Sequence, residues 1–329
     1  MSASMRRRDF ITLLGGTAAW PLAAGAQQGD RVRRIGVLLG FDENDLVGKR
    51  RYSAFTQALT GLGWTDGRNI RIDDRWSRGD NNRLAQELVA LQPDIIVTNG
   101  SAATFAVQRE TRTIPIVFAN LADPVVSGIV ARLDRPSGNV TGFANWEPSM
   151  GGKWLELLSE IAPGLKRAAI MFNPDTAPVS TYMPSFETAA RSLKAVSITA
   201  PIHSDVEIET AIIALGREPG SGLVVMPGAF TSAHRSPIIS AAAQNHVPAV
   251  YWVSDFVRDG GLLSYGFDQV DGYRRAATYV DRILRGEKPG DLPVQFPTKF
   301  EMAVNLKTAR ALGLAVPPSI RLRADEVIE

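Results

Sequence analysis

The sequence predicts an α/β protein of two similar lobes, each built on a parallel sheet, and three observations carry that expectation. Short apolar runs ending in glycine or asparagine alternate with segments whose apolar residues recur at helical spacing. The alternation pauses near 143–149 and then restarts in the same order. The 329 residues, 45% hydrophobic and 21% charged, suit roughly two domains and are too apolar for a disordered chain.

Arg34–Gly40 is an apolar run closed by glycine, a buried strand. Tyr52, Phe55, Leu59 and Leu62 follow at helical spacing over 48–62, and Gly61-Leu62-Gly63-Trp64 ends that helix. Residues 70–76 alternate as a second strand. Asp80 caps a helix through Leu84, Leu88 and Leu91 that stops before Pro93. A third strand, 94–99, runs into Gly100-Ser101 at the start of the next helix. A fourth, 114–120, leads to a helix beginning at Asp123-Pro124, and a fifth covers 139–143.

Beyond the pause, helices at 150–161, 182–194, 205–217, 232–245 and 268–285 alternate with strands at 167–172, 196–200, 222–226, 247–253 and 261–265. A Pro-rich connector, 288–297, precedes a last strand at 300–305 and a helix at 306–312. Buried strands joined by helices form parallel sheets covered on both faces. Two sheets of roughly five strands suit these elements better than one of about ten. In such folds ligands bind beyond the carboxyl ends of the strands, so two facing lobes would share one cleft.

Residues 1–26 read as an export address. Arg6-Arg7-Arg8-Asp9-Phe10-Ile11 precedes a weakly apolar stretch and Ala24-Gly25-Ala26, an A-x-A cleavage pattern. Arg7-Arg8-x-Phe10-Ile11 resembles a twin-arginine signal. The apolar part is shorter than the ~20 residues of a membrane span, and the absence of cysteine excludes a lipoprotein anchor. The formal charge of +2 resides in this leader, so a neutral, soluble, periplasmic protein starting near Gln27 is expected.

The near-neutral charge argues against a nucleic-acid partner. Without cysteine there is no disulfide, thiolate metal site or cysteine nucleophile, and only His203, His234 and His246 could supply imidazole. Neither a metal nor a cofactor is expected: the dinucleotide, Walker A, G-x-S-x-G and H-E-x-x-H patterns are all missing. Small polar residues collect instead where strands end. Asn99-Gly100-Ser101 lies at a helix start, where free amides favour an anion and Ser101 could equally cap. Asp123 could cap a helix or meet a cationic ligand group. Asn173-Pro174-Asp175, Pro227-Gly228 and Tyr251–Asp255 occupy the matching strand ends of the second half. Phe41, Trp146 and Tyr251 could wall a binding site or pack a core or hinge. These residues suit recognition of a small polar or aromatic solute better than catalysis, since no nucleophile–base pair emerges.

Two stretches resemble a known family. One is Ile114-Pro115-Ile116-Val117-Phe118 through Asp123-Pro124-Val125-Val126-Ser127-Gly128, continued by Pro136-Ser137-Gly138-Asn139-Val140-Thr141-Gly142. The other runs from Tyr279-Val280-Asp281-Arg282-Ile283-Leu284-Arg285-Gly286 through Leu292-Pro293-Val294-Gln295 to Asn305-Leu306-Lys307-Thr308-Ala309. They are similar to the ABC-transporter substrate-binding family that includes tryptophan- and tyrosine-type binding proteins. The resemblance implies a type I periplasmic-binding-protein fold, with two Rossmann-like lobes around a ligand cleft. Lobe 1 would comprise 34–143 plus about 261–286, and lobe 2 would comprise 144–260 plus about 287–329. It also implies a monomeric receptor without cofactor that delivers a small organic solute to a membrane permease with a separate ATPase. The matching contact positions are Gly40, Phe41, Asp42, Asn99, Gly100, Ser101, Asn120 and Asp123 in lobe 1. In lobe 2 they are Asn145, Asn173, Asp175, Gly228 and Tyr251. The loop Gly40-Phe41-Asp42-Glu43 is less polar than in many members that bind aromatic amino acids. A non-catalytic receptor that closes about a hinge is the leading expectation. A ligand-sensing module for a membrane receptor, or an enzyme on the same scaffold, are the alternatives.

Overall fold

Strand β1 (Arg33–Leu39) divides its side chains between two cores: Ile35, Val37 and Leu39 enter one and Leu38 the other. That division is the two-residue period of a strand buried on both faces. The computed structural model describes residues 31–136, 138–175, 177 and 179–329, so the leader expected over 1–26 lies outside the described residues.

Strands β2 (Ile70–Trp76), β3 (Ile95–Asn99), β4 (Ile116–Leu121) and β5 (Val140–Ala144) join β1 in a parallel sheet of order β2-β1-β3-β4-β5. Helix α1 (Leu46–Gly61) packs Phe55 and Leu59 on one face. Helices α2 (Asn81–Ala90) and α3 (Gly100–Glu110) pack Leu84, Leu88, Ala103 and Val107 on the other.

After helix α4 (Met150–Ile161) a second sheet begins with β6 (Arg167–Phe172), helix α5 (Val179–Leu193) and β7 (Val196–Pro201). Helix α6 (Asp205–Gly216), β8 (Ser221–Val225), helices α7 (Ala229–Ala233) and α8 (Arg235–Gln244), and β9 (Ala249–Tyr251) follow. Helix α9 (Ser254–Arg258) leads to β10 (Leu263–Phe267), which pairs with β9. Helix α10 (Gln269–Leu284) leaves this sheet and packs Tyr273, Ala277 and Val280 beside α1 on the first. The chain returns through β11 (Phe300–Asn305), helices α11 (Leu306–Ala311) and α12 (Pro318–Arg323), and β12 (Glu326–Ile328). The order is β12-β11-β10-β9-β8-β6-β7, parallel except for β10 against β11. The fold class expected from the alternation is therefore the one found.

Several details differ from expectation. The second sheet holds seven strands because β12 adds an edge after the expected end, and two of them, β11 and β12, run opposite to the other five. The helix expected from Asp123-Pro124 is a turn: Ser127 N donates to Asp123 O at 3.1 Å and Gly128 N to Val125 O at 2.9 Å. Gly128, at φ +74°, then leaves the helical region. The helix expected over 232–245 is broken at His234, whose backbone (φ −99°, ψ 25°) is not helical. The boundaries near Gly261 and Glu287 also fall later. Strand β10 stays in the second sheet, and the crossing comes between Phe267 and Gln269. Residues 292–295 stay with the first: Val294 N donates to Leu133 O at 2.7 Å and Gln295 N to Gly142 O at 3.1 Å. Three chain segments thus connect the two sheets, after Ala144, after Phe267 and before Phe300. Trp146 sits where two of them meet, packed against both cores, with its ring 5.6 Å from that of Phe296.

Candidate functional site

The carboxyl ends of β1, β3 and β4 face those of β6, β8 and β9 across a cleft of about 840 Å³. From the first sheet it is lined by Gly40, Phe41, Asp42, Asn99, Gly100, Ser101, Asn120 and Asn145, and from the second by Asp175 and Gly228. Asn145, expected in lobe 2, directly follows β5 and donates its N–H to Leu121 O of β4 at 3.0 Å. The topology brings these ten expected residues together because parallel strands all end on the same side.

Each is positioned by local chemistry. Asn99 does not cap α3; its Oδ1 accepts the Tyr273 hydroxyl of α10. The first-turn amides of α3 therefore meet the cleft with no capping side chain, an arrangement that attracts negative charge. Thr104 Oγ1 donates to Gly100 O at 2.7 Å and shares a 2.8 Å hydrogen bond with Thr98 Oγ1, which pins this turn. Asp42 pairs with Arg78 at 2.5 Å and accepts from Asn44 N at 2.8 Å. The Asn44 amide first, and then the Arg78 guanidinium, hold its carboxyl below the usual carboxylate range. Asn120 takes the left-handed backbone (φ +53°) and donates to Gln269 O at 2.7 Å.

Three expected residues lie elsewhere. Asp123 is 9% exposed and accepts from Val126 N at 3.0 Å, the capping alternative realised in a turn. Asn173 is buried, donates to Ile202 O at 2.9 Å and accepts from Asp175 N at 3.1 Å, which shapes the loop carrying Asp175. Tyr251 is 1% exposed and stacks on Phe256 with centroids 4.8 Å apart, so it belongs to the core. Trp146, expected as a wall or a hinge residue, packs at the crossings and is not among the residues lining the cleft.

Sequence reasoning missed Arg51, Tyr182, Trp252 and Gln269, all of which line the cleft. Trp252 follows Tyr251, and one step along a strand turns a side chain to the opposite face. Arg51 lies at helical spacing from Gly48, Phe55 and Leu59, so a cation on the apolar stripe of α1 was the available signal. Its guanidinium stands 5.3 Å from the Phe41 ring centre with no hydrogen bond or ion pair among the described residues. Burial pushes the Arg51 pKa down against the attraction of Tyr273, Asp255 and Asp45.

Four buried polar atoms of the cleft residues have no hydrogen-bond partner: Asn81 Oδ1, Asn145 Oδ1, Trp252 Nε1 and Gln269 Nε2. Each such atom costs about 1–3 kcal/mol, and buried polar groups are nearly always paired. Two of these atoms accept and two donate, which suits a solute with both donors and acceptors. None of the three histidines lines the cleft. Among the described residues no cluster of acids and histidines could hold a metal.

Comparison with known proteins agrees with this geometry. A relative named tyrosine-binding protein from Clostridioides difficile (strain R20291) is 26% identical over 277 residues, spanning 83% of this chain and 78% of that protein. A crystal structure from Vibrio cholerae, described as a conserved domain protein, superposes with a TM-score of 0.79 at 25% identity over 90% of this chain and all of that one. A structure from Streptococcus pneumonia described as an ABC domain in complex with L-Trp gives 0.80 at 24% identity, over 91% of this chain and all of that one. The two-sheet fold is that of type I periplasmic binding proteins. The family model described as ABC transporter substrate binding protein matches residues 42–328, nearly everything described here, and the chain belongs to that family.

Proposed function

We propose that the chain is the solute receptor of an ABC importer, capturing a small organic solute between its lobes without chemical turnover. The interlobe cleft at the strand ends of both sheets carries the reading: four of its residues, Asn81, Asn145, Trp252 and Gln269, hold buried polar atoms without a protein partner, and a solute would offer such partners. The relatives described as binding tyrosine and L-Trp support a solute of amino-acid size. Binding would begin on one lobe and gain contacts from the other on closure about the three crossings. The leader over 1–26 would deliver the folded protein to the periplasm, where the closed monomer would dock on its permease.

Small-angle scattering of the exported protein, with the solute identified by mass spectrometry of what co-purifies, tests this. A smaller radius of gyration with saturating solute is expected. A radius that does not change, or turnover of the solute, would falsify the proposal.

A further inference from the structure

Two side chains of the cleft are left without protein partners in a way the receptor reading alone does not explain. Arg51 and Gln269 line the cleft and also a second, smaller cavity of about 250 Å³ between α1 and the region around β10 and α9. They are the two residues common to both cavities, so space lies on either side of them. Gln269 is 7% exposed, and its Nε2 has no acceptor. Its carbonyl oxygen takes the Asn120 amide at 2.7 Å, which fixes the residue at the start of α10. Arg51 has no carboxylate partner, although its neighbours on the smaller cavity include Asp255, Asp268 and Glu301.

Two of those acids are committed elsewhere, and none lies within ion-pair distance of Arg51. Asp255 pairs with Arg258 at 2.9 Å and Asp268 with Lys299 at 2.9 Å. Burial, then the nearby Asp268, raises the Glu301 pKa. On the cleft side Asp42 is taken by Arg78, and Asp175 is exposed at the rim. The half-buried charge of the cleft left without a partner is therefore cationic. The unpaired buried donors Gln269 Nε2 and Trp252 Nε1, and the amides at the start of α3, likewise favour an acceptor. Phe41, Tyr182 and Trp252 add aromatic surface.

We infer that Arg51 is the counter-ion of the solute's carboxylate, assisted by Gln269 Nε2, and that the cleft therefore prefers an aromatic carboxylate to the amine built on the same ring. The inference rests on the receptor reading and sharpens it. A carboxylate answers both a desolvated guanidinium and a neutral donor, and such charge-assisted bonds are about twice as strong as neutral ones. A free ammonium would meet Asp175 in solvent, where an ion pair contributes little, and the neutral acceptors Asn81 Oδ1 and Asn145 Oδ1, so it finds no counter-charge comparable to Arg51.

Three probes sharing one ring separate the groups: 3-(4-hydroxyphenyl)propionate carries the carboxylate, tyramine the amine, and L-tyrosine both. Calorimetric titration of the exported protein should show the propionate binding at least about tenfold more tightly than tyramine. Arg51→Gln should remove that preference and Arg51→Lys keep part of it. The solute-free melting temperature of Arg51→Gln should not fall, because the substitution deletes a half-buried charge that has no protein partner; circular dichroism confirms the fold. Equal affinity for tyramine, undiminished propionate affinity in Arg51→Gln, or binding of none of the three overturns the inference. The receptor reading is judged separately, by whether any co-purifying small molecule compacts the protein.

Discussion

The Asn120 side-chain amide donates to the main-chain carbonyl of Gln269 at 2.7 Å, tying the end of β4 to the first residue of the crossing helix α10. A Cβ on Gly272, one turn into that helix, would stand 2.0 Å from Asn120 Oδ1. The pair couples a strand end in the cleft to a segment that connects the lobes.

Alanine at an exposed helical glycine stabilises by roughly 0.5–1 kcal/mol. At Gly272 the sign should reverse: Gly272→Ala is expected to cost about 1–3 kcal/mol through overpacking. Asn120→Gly deletes the obstructing amide while keeping a residue suited to φ +53°. Gly272→Ala should then be neutral or stabilising in the Asn120→Gly background. Urea unfolding of the four proteins measures the cycle, and strict additivity would dismiss the contact.

Asp268 gives a pH dependence of known sign. It is 5% exposed, caps α10 by accepting from Val270 N at 2.9 Å and Asp271 N at 3.1 Å, and pairs with Lys299. Burial alone would raise its pKa, but the Lys299 ammonium and the capping amides together lower it. Its contribution is thus complete above the unfolded carboxylate pKa of ~3.9 and lost as pH falls through the lower folded value. Asp268→Ala should cost about 1–2 kcal/mol at pH 7 and progressively less as acid protonates the wild-type carboxylate. Thermal melts from pH 7 to pH 2 decide it, and a deficit constant across that range counts against the assignment.

Tyr251 is expected to matter for stability and not for recognition. Its ring stacks on Phe256 at an 18° interplanar angle inside the core. Tyr251→Phe should leave solute affinity unchanged, whereas Tyr251→Ala should destabilise by about 3–5 kcal/mol. A loss of affinity in Tyr251→Phe with unaltered melting would return the residue to the site.

The contrast between Tyr251 and Trp252 shows what the sequence could carry. Strands such as Ile95–Asn99 and Ile116–Leu121 were legible because burial on both faces leaves an unbroken apolar run, and the shared direction of parallel strands then located the cleft. Which side chain faced the cleft depended on register at the strand ends, and β9 is only three residues long. A shift of one residue there exchanges a core tyrosine for a cleft tryptophan. Gln269 was beyond reach for another reason: its carbonyl meets Asn120 across 149 residues of sequence. Asp123 and Asn173 have the residue type of ligand contacts and satisfy protein backbone instead, Asp123 within its own turn and Asn173 within its loop and across to Ile202 O, because short polar side chains bond backbone as readily as a solute. The antiparallel β11 was hidden because an apolar run carries no sign of direction.

Trp252 should report solute binding. Among the described residues it is the tryptophan that lines the cleft, and its Nε1 is buried without an acceptor. Trp64 and Trp154 are tied within the protein, to Asp281 Oδ1 at 2.8 Å and Tyr265 O at 2.6 Å, and Trp76 donates to Asp74 at 2.5 Å. A solute accepting from Trp252 Nε1, or merely drying the indole, would change its emission while those three stay constant. Trp252→Phe keeps the ring surface and removes the donor, so affinity should fall by roughly 3–10-fold and the fluorescence response should disappear. Titration followed by tryptophan emission alongside calorimetry separates the two effects. A full emission response in Trp252→Phe would move the reporter to Trp146, whose Nε1 is also unpaired and whose ring sits at the crossings; the signal would then follow lobe movement and not solute contact.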